Sequence, residues 1–113
     1  MCNSGVYIVR FDQTCIKIGR SKDIAKRLKQ YAGYRGQAQQ VEKVLLVFTP
    51  QYIELEKASH KFAEDYGLPR YKPYEVFECP LEKTEEFISE YRSFIEVNHC
   101  DSIHSVADKF ETE

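Results

Sequence analysis

The sequence predicts a small α/β (α+β) protein in which a central, mainly antiparallel three-stranded sheet is flanked by helices. Two short runs of β-branched and aromatic residues lie within residues 6–18, separated by three polar residues, as in a hairpin. A continuous apolar run at residues 44–48 has the length of a buried strand. Amphipathic segments of helical period follow each of these features. With 113 residues, of which 42% are hydrophobic, the chain supports one domain with a core.

The first two strands are predicted at Val6–Phe11 and Cys15–Ile18, joined by a turn over Asp12–Thr14. Successive side chains of a strand alternate between the two faces of a sheet. If the valine and isoleucine side chains face one core, Tyr7 and Lys17 must both lie on the opposite face. We therefore expect a phenol and an ammonium group to be near each other on one surface of the sheet.

A helix is predicted over about residues 22–32, after the hairpin. Gly19 would permit a sharp turn and Ser21 would cap the helix. The inner face of this helix is expected to carry Ile24, Leu28 and Tyr31. Arg27 falls at the edge of that face, where its guanidinium would reach the sheet surface. The alternative is an arginine whose aliphatic stem only covers apolar surface.

A second helix is predicted from Thr49-Pro50 to about Tyr66, with Thr49 as the N-cap and Gly67 as the stop. Its expected inner face consists of Leu55, Ala58, Ser59, Phe62 and Tyr66. Glu54 and Glu56 flank that face on opposite sides, and helix geometry alone does not choose between them.

The last third of the chain is expected to contain a short strand at residues 74–79 and an amphipathic helix over Thr84–Val97. We expect residues 1–98 to form the domain. Residues 99–113 would form a polar, acidic C-terminal tail with room for one short helix near residues 103–110.

The net charge of −2 does not by itself favour nucleic acid, but the charge is unevenly distributed. Residues 1–37 carry eight basic side chains against two acidic ones, whereas residues 75–113 carry eleven acidic side chains against three basic ones. This asymmetry favours a half that faces a polyanion and a half that is solvated. The alternative is a solvated helix face followed by an acidic tail.

Composition also bears on the compartment. No apolar run approaches the roughly 18–20 residues that span a membrane, and the N-terminus lacks the basic start and apolar stretch of a secretory signal. The four cysteines are widely spaced and form no Cys-x-x-Cys pair, which favours reduced thiols. We therefore expect a cytoplasmic protein with no membrane partner.

An ordered set of residues resembles the GIY-YIG nuclease superfamily over residues 5–80. Gly5-Val6-Tyr7 is followed, ten residues on, by Lys17-Ile18-Gly19, and then by Arg27, Tyr31 and Glu56. The stretch from Ile16 to Tyr31 is similar, without gaps, to the same element in the nuclease module of bacterial nucleotide-excision repair. Lysine in place of the second tyrosine, together with Tyr74-Glu75-Val76-Phe77, resembles a phage and bacterial subgroup. A phage or mobile-element origin is implied by that subgroup.

The resemblance implies a role for four residues. Tyr7 takes the position of the tyrosine that activates the nucleophilic water, and Arg27 that of the catalytic arginine. Arg20 takes a basic position near the phosphate, and Glu56 that of the glutamate that holds one Mg²⁺ (or Mn²⁺) ion. The implied function is a metal-dependent endonuclease that hydrolyses phosphodiester bonds in DNA, with RNA left open as a substrate.

Further residues join the candidate site. Lys17 is a cation beside Tyr7, and a cation favours the ionised form of a phenol. His60 lies one helical turn after Glu56 and is a candidate for proton transfer or phosphate contact; the alternative is an exposed helix histidine. Candidate nucleic-acid-binding residues are Lys22, Tyr34 and Arg35.

A second interpretation belongs to a different class of function. The chain would then be a catalytically weak or inactive nuclease-fold module that binds nucleic acid or a protein partner. Family nucleases commonly take sequence specificity from an attached DNA-binding domain, and this chain shows none. A stand-alone enzyme would therefore be structure-specific, weakly specific, or a homodimer.

Overall fold

The computed structural model describes residues 2–10, 16–29, 41–65, 69–71, 76–77, 81–90, 94–100 and 106. The predicted turn at residues 12–14, the loop that contains Tyr34 and Arg35, and most of the predicted tail lie outside these residues. In the described part, no helix is long and apolar enough to cross a membrane.

The architecture is α+β, as predicted, and its centre is an antiparallel sheet. The strands are β1 (Gly5–Arg10), β2 (Ile16–Ser21), β3 (Val41–Phe48), β4 (Pro69–Tyr71), β5 (Val76–Phe77) and β6 (Ile95–Cys100). The order across the described sheet is β4-β5-β2-β1-β3-β6, and each described strand pair is antiparallel. The three strands expected from the sequence, β1 to β3, form its centre.

The expected strand count of three was wrong, because the described residues contain six strands in this sheet. The added strands are short or lie at the ends of the order. β4 and β5 have three and two residues, too few for a local pattern to identify. They exist because β5 pairs with β2, through Ile16 with Phe77 and Lys17 with Val76, and β4 pairs with β5.

Helices cover both faces of the sheet. They are α1 (Ile24–Lys29), α2 (Tyr52–Glu64) and α3 (Leu81–Ser89) among the described residues. Ile24 and Leu28 of α1 pack with Tyr7 and Val9 on one face. Leu55 and Ala63 of α2 and Leu81 and Ile88 of α3 pack on the other face, against Val6, Ile8, Ile16 and Ile18. We call these the α1 face and the α2 face of the sheet.

The prediction that Tyr7 and Lys17 share one face of the hairpin is confirmed over the described residues. Tyr7 pairs with Gly19 and Val9 pairs with Lys17, so Tyr7 and Lys17 lie on the same face. That face is the α1 face, which also carries Val9, whereas Val6, Ile8, Ile16 and Ile18 lie on the other face. Because β1 is hydrogen-bonded on both sides, to β2 and to β3, Tyr7 is held in the middle of the sheet.

The helix predicted over Thr84–Val97 was wrong in its second half. The helix α3 ends at Ser89, and Ile95 begins β6, which pairs with β3. Ile95 and Val97 fit a strand as well as a helix, since apolar residues two apart satisfy both periods over a short stretch. β6 also crosses the expected boundary between residues 98 and 99, and Val106 is buried in the core of the α1 face.

Two helix starts also differ from the prediction. Gly19 is not a turn, because β2 continues through it to Ser21, and α1 begins at Ile24 with Asp23 before it. Thr49 is not the N-cap of α2; that position is taken by Gln51, and the Thr49 hydroxyl accepts a hydrogen bond from the Gln51 amide at 3.1 Å. In the first case β2 continued further than local sequence indicated, whereas β3 ends at Phe48, as predicted, and α2 starts later than expected.

The buried face of α2 is rotated from the one expected. Its buried residues are Leu55, Glu56, Ser59 and Ala63, whereas Ala58 is exposed. Glu54 is exposed too, so the structure separates the two glutamates that the sequence pattern left equivalent. The rotation brings a carboxylate to the protein interior beside β2.

Candidate functional site

The first part of the candidate site is the Tyr7 ring lying across Gly19. Tyr7 is fully buried in the α1 face, and Gly19 is its partner on β2. A Cβ atom at position 19 would lie closer than 3.0 Å to the Cζ and Oη atoms of Tyr7. Glycine is therefore required here to admit the phenol. A glycine inside a strand pattern is the signal for such a close approach, and reading Gly19 as a turn missed it.

Arg27 comes to the same phenol from α1. Its Nε atom donates a long hydrogen bond of 3.4 Å to Tyr7 Oη, and the rest of its side chain is exposed. The helix that carries Arg27 is started by Asp23, whose carboxylate accepts from the Lys26 amide at 3.2 Å. The edge position predicted for Arg27 is confirmed, because the residue is exposed while its Nε atom reaches Tyr7 Oη.

Lys17 lies on the α1 face, one strand pair from Tyr7. Its side chain is only 6% exposed, which is rare for lysine. Val9 is its partner across β1, and Val76 is its partner across β5. The structure therefore places Tyr7 and Lys17 on the same face of the sheet and brings Arg27 into contact with Tyr7.

The second part of the site surrounds Glu56, on the α2 face. Glu56 is buried, with 6% of its surface exposed. Arg20 Nη1 lies 3.5 Å from Glu56 Oε1, and His60 Nε2 lies 3.9 Å from Glu56 Oε2. A buried carboxylate is costly unless it is paired, and the half-exposed Arg20 provides that pairing. The structure thus brings together Arg20, Glu56 and His60.

His60 is not the exposed helix histidine of the alternative interpretation. Its Nε2 atom lies 3.1 Å from the carbonyl oxygen of Ile18, and its ring packs on Phe77 with centroids 5.0 Å apart. A carbonyl only accepts, so Nε2 must carry the hydrogen, and Nδ1 is the remaining ring nitrogen. These contacts hold His60 between α2, β2 and β5.

The two parts of the site lie on opposite faces of the same strand. Tyr7 pairs with Gly19, whereas Arg20 pairs with Val6, so Arg20 projects from the α2 face. They are joined through the four consecutive residues Lys17–Arg20 of β2. Both Arg20 and Arg27 are exposed, so both guanidinium groups are accessible from solvent near the end of that strand.

Exposed cations continue from β2 onto α1. They are Arg20, Lys22, Lys26, Arg27 and Lys29. Lys22 was predicted to bind nucleic acid, and its side chain is exposed in the connection between β2 and α1. Tyr34 and Arg35 lie outside the described residues, and that part of the prediction stays a prediction. A dense group of exposed cations attracts a polyanion.

Metal-binding capacity rests on Glu56. Among the residues that the structure describes, no group of three or more His, Cys, Asp or Glu side chains is arranged to hold a metal ion. Mg²⁺ is commonly held by one or two carboxylates, with water and substrate phosphate supplying the other ligands. A single buried carboxylate fits an ion held weakly until a phosphate joins it.

The fold and site define a class of protein, an α+β domain with a basic strand-to-helix surface beside a buried glutamate. The model of the T5orf172 domain matches residues 4–92, which is most of the chain. The chain belongs to the T5orf172 domain family, a phage-associated family related to a nuclease-like fold. Neither the comparison with curated proteins nor that with solved structures gave a significant match.

Proposed function

We propose that this protein is a metal-dependent endonuclease that hydrolyses phosphodiester bonds in DNA. The observation that carries the proposal is the gathering of two arginines, a buried glutamate and a buried tyrosine around residues 17–20 of β2. Membership of a family related to a nuclease-like fold supports it. The spacing of Gly5-Val6-Tyr7, Lys17-Ile18-Gly19, Arg27 and Glu56 supports, in addition, a relationship to the GIY-YIG nucleases.

Hydrolysis needs a water made nucleophilic and a phosphate whose negative charge is stabilised as it increases. Tyr7 Oη would accept a proton from that water, for which the phenol must be ionised. Arg27 donates to this oxygen and favours its ionised form. The terminal N–H groups of the same guanidinium are suited to phosphate oxygens. Arg27 thus orients Tyr7 and binds the phosphate.

Glu56 would hold one Mg²⁺ or Mn²⁺ ion, with His60 beside it. When bound, such an ion polarises the phosphate and lowers the pKa of a coordinated water. Arg20, close to the carboxylate and half exposed, would contact the phosphate from the α2 face. Lys22 and the basic side of α1 would bind the DNA backbone through charge.

A specific observation favours a second candidate function. Tyr7 and Glu56 belong to opposite faces of the sheet, and the described residues include no metal-ligand group of three. A nuclease-fold module that binds nucleic acid or a protein partner without cutting would need only the exposed cations. A homodimer remains part of either proposal.

The two functions are separated by incubating the protein with supercoiled DNA, branched DNA and RNA, with Mg²⁺ or Mn²⁺. Glu56→Ala and Arg27→Ala are the matched controls. Glu56 lies on α2 and Arg27 on α1, so each variant changes the site on one face of the sheet. We expect cutting of DNA by the wild type, lost in both variants. Cutting that survives both substitutions would place the activity elsewhere. Binding without cutting, at any metal concentration, would favour the binding module.

A further inference from the structure

We infer that Arg20 occupies the place of the divalent cation at Glu56 and is displaced when the cation binds. This inference rests on the proposed metal-binding role of Glu56. It concerns which group neutralises the Glu56 carboxylate before the cation binds. It assigns Arg20 two positions, one on the carboxylate and one on the substrate phosphate.

The first argument is the burial of the carboxylate. Glu56 is 6% exposed, so few water molecules solvate it, and an unpaired charge there would destabilise the fold. The guanidinium of Arg20, 3.5 Å from Oε1, offsets that cost. The pair is asymmetric, because the Arg20 side chain is 41% exposed while the carboxylate is 7% exposed. Arg20 is therefore the partner with room to leave.

The second argument is the geometry of the rest of the pair. α2 is anchored on β2 by the contact of His60 with Ile18 and by burial of Leu55 and Ser59. Glu56 is thereby held in place whether or not Arg20 pairs with it. The two carboxylate oxygens have different neighbours. Arg20 lies by Oε1, and His60 lies by Oε2.

The third argument is electrostatic. A divalent cation held by the Glu56 carboxylate would repel a guanidinium that lies 3.5 Å from one of its oxygens. Filling the site must therefore move Arg20 outward, toward solvent and toward any bound phosphate. Removing the Arg20 charge should raise cation affinity, even though Arg20 is a cation that assists DNA binding. A residue that only binds phosphate would not have this effect.

The test is a titration of Mn²⁺ into the 113-residue chain without nucleic acid, in which the electron spin resonance signal measures free Mn²⁺. We expect Arg20→Gln to bind Mn²⁺ roughly tenfold more tightly than the wild type. Arg20→Lys should stay within about threefold of the wild type, because the charge is retained. Lys57→Gln, which removes an exposed cation next to Glu56 on the outer face of α2, is the matched control and should change affinity little.

Dependence on Glu56 is tested by Glu56→Gln in both backgrounds. We expect it to abolish the gain in Mn²⁺ affinity seen in Arg20→Gln. A second readout is thermal unfolding, in which Arg20→Gln should lower the Tm without metal and show a larger rise in Tm with Mn²⁺ than the wild type. This rise keeps the test decisive if the variant is poorly folded without metal.

Three results would overturn the inference: an Mn²⁺ affinity of Arg20→Gln equal to or below that of the wild type, an equal gain in Lys57→Gln, or a gain that persists with Glu56→Gln. None of them decides whether the protein cuts DNA, which is measured separately. A wild type that cuts DNA while Arg20→Gln binds Mn²⁺ no better would refute the displacement and leave the proposed function intact.

Discussion

At the residue scale, the contact of Tyr7 with Gly19 determines where the phenol lies. A side chain at position 19 would meet the ring at less than 3.0 Å, and the ring is buried, on a strand that is paired on both sides. The glycine is thus a packing requirement in the middle of a strand. Glycine in a strand normally lowers stability, because it loses more chain entropy on folding than other residues. It occurs here because no larger residue fits.

Gly19→Ala is expected to destabilise the protein by about 1–3 kcal/mol, the range for overpacking a core. The free energy of unfolding in urea measures it. Combined with Tyr7→Leu, Gly19→Ala should cost less than the sum of the two single losses, because a shorter side chain vacates the space above position 19. Equal stability of Gly19→Ala and the wild type would show that the ring is less tightly held than described.

Lys17 offers a test of whether a cation on the same face favours the ionised form of Tyr7, as the proposed mechanism requires. Lys17→Met preserves length and apolar stem but removes the charge that lies on the phenol's face of the sheet. We expect the pH optimum of DNA cleavage to move upward, since the phenol then ionises less readily. The exposed Lys26→Met is the control. An unchanged pH profile would remove Lys17 from this role.

At the element scale, Arg27 lies on α1, whose six described residues, Ile24–Lys29, would not by themselves form a stable helix. Its position depends on Ile24 and Leu28 in the core and on the Asp23 cap. Before the helix, the Ser21 hydroxyl accepts a hydrogen bond of 3.0 Å from the Asp23 amide, which holds the chain in a turn. Local contacts before the helix therefore set where the Arg27 guanidinium lies.

Asp23→Ala should lower the free energy of unfolding by about 1 kcal/mol, the usual loss on removing an N-cap. Asp23→Asn is the matched control, because its side-chain oxygen still accepts from the Lys26 amide. Denaturant unfolding of the two variants gives the difference. Equal losses in both would mean that charge, and not the cap, is what Asp23 contributes.

The same scale shows which elements the sequence could predict. The register of β1 and β2 followed from side-chain alternation around Tyr7 and Lys17, a local property of two neighbouring strands. β5 depends on pairing with β2, and β4 depends on pairing with β5, and neither pairing is visible in the local sequence. The burial of Glu56 was equally hidden, because it depends on how α2 is rotated against the sheet.

At the scale of the whole molecule, charged side chains connect β1, β3, β6 and α3 on the side of the sheet away from Tyr7. Arg10 and Lys43 are strand partners, and each is flanked by carboxylates. Arg10 pairs with Glu42 at 3.1 Å and with Glu82 at 2.9 Å. Lys43 pairs with Glu96 at 2.7 Å and with Glu85 at 3.7 Å. Two adjacent cations are thus neutralised from three elements.

This network predicts a small loss of stability in acid. A backbone hydrogen bond of its own residue and the guanidinium of Arg10 hold the pKa of Glu82 below its usual value of 4.5. A carboxyl with a lowered folded pKa stabilises the fold above its unfolded pKa, and loses that contribution as pH falls through the folded one. We expect Glu82→Gln to remove this contribution. The decrease in the free energy of unfolding below about pH 4.5 should then be smaller than in the wild type, by no more than about 0.5 kcal/mol because Glu82 is exposed.

The opposite sign holds for Lys43. Its hydrogen bond to Glu96 raises the pKa of Lys43 above 10.5. A lysine with a raised folded pKa stabilises the fold below its unfolded pKa, and this contribution disappears as pH rises through the folded one. Glu82→Gln should change alkaline unfolding much less than acid unfolding, because the main partner of Lys43 is Glu96 and the charge of Lys43 is the smallest of the causes that shift the pKa of Glu82. This difference serves as the internal control. A change at high pH alone would contradict the assignment.

The central claim is that residues on both faces of β2 act on one phosphate. The direct measurement is the single-turnover rate of nicking of supercoiled DNA with Mg²⁺ for the wild type, Arg27→Ala, Glu56→Ala and the double variant. Each single substitution should lower the rate by at least about a hundredfold, and the double variant should be little slower than either, as for groups that act as a unit. A wild-type rate in either single variant, or no nicking by the wild type, would contradict the account.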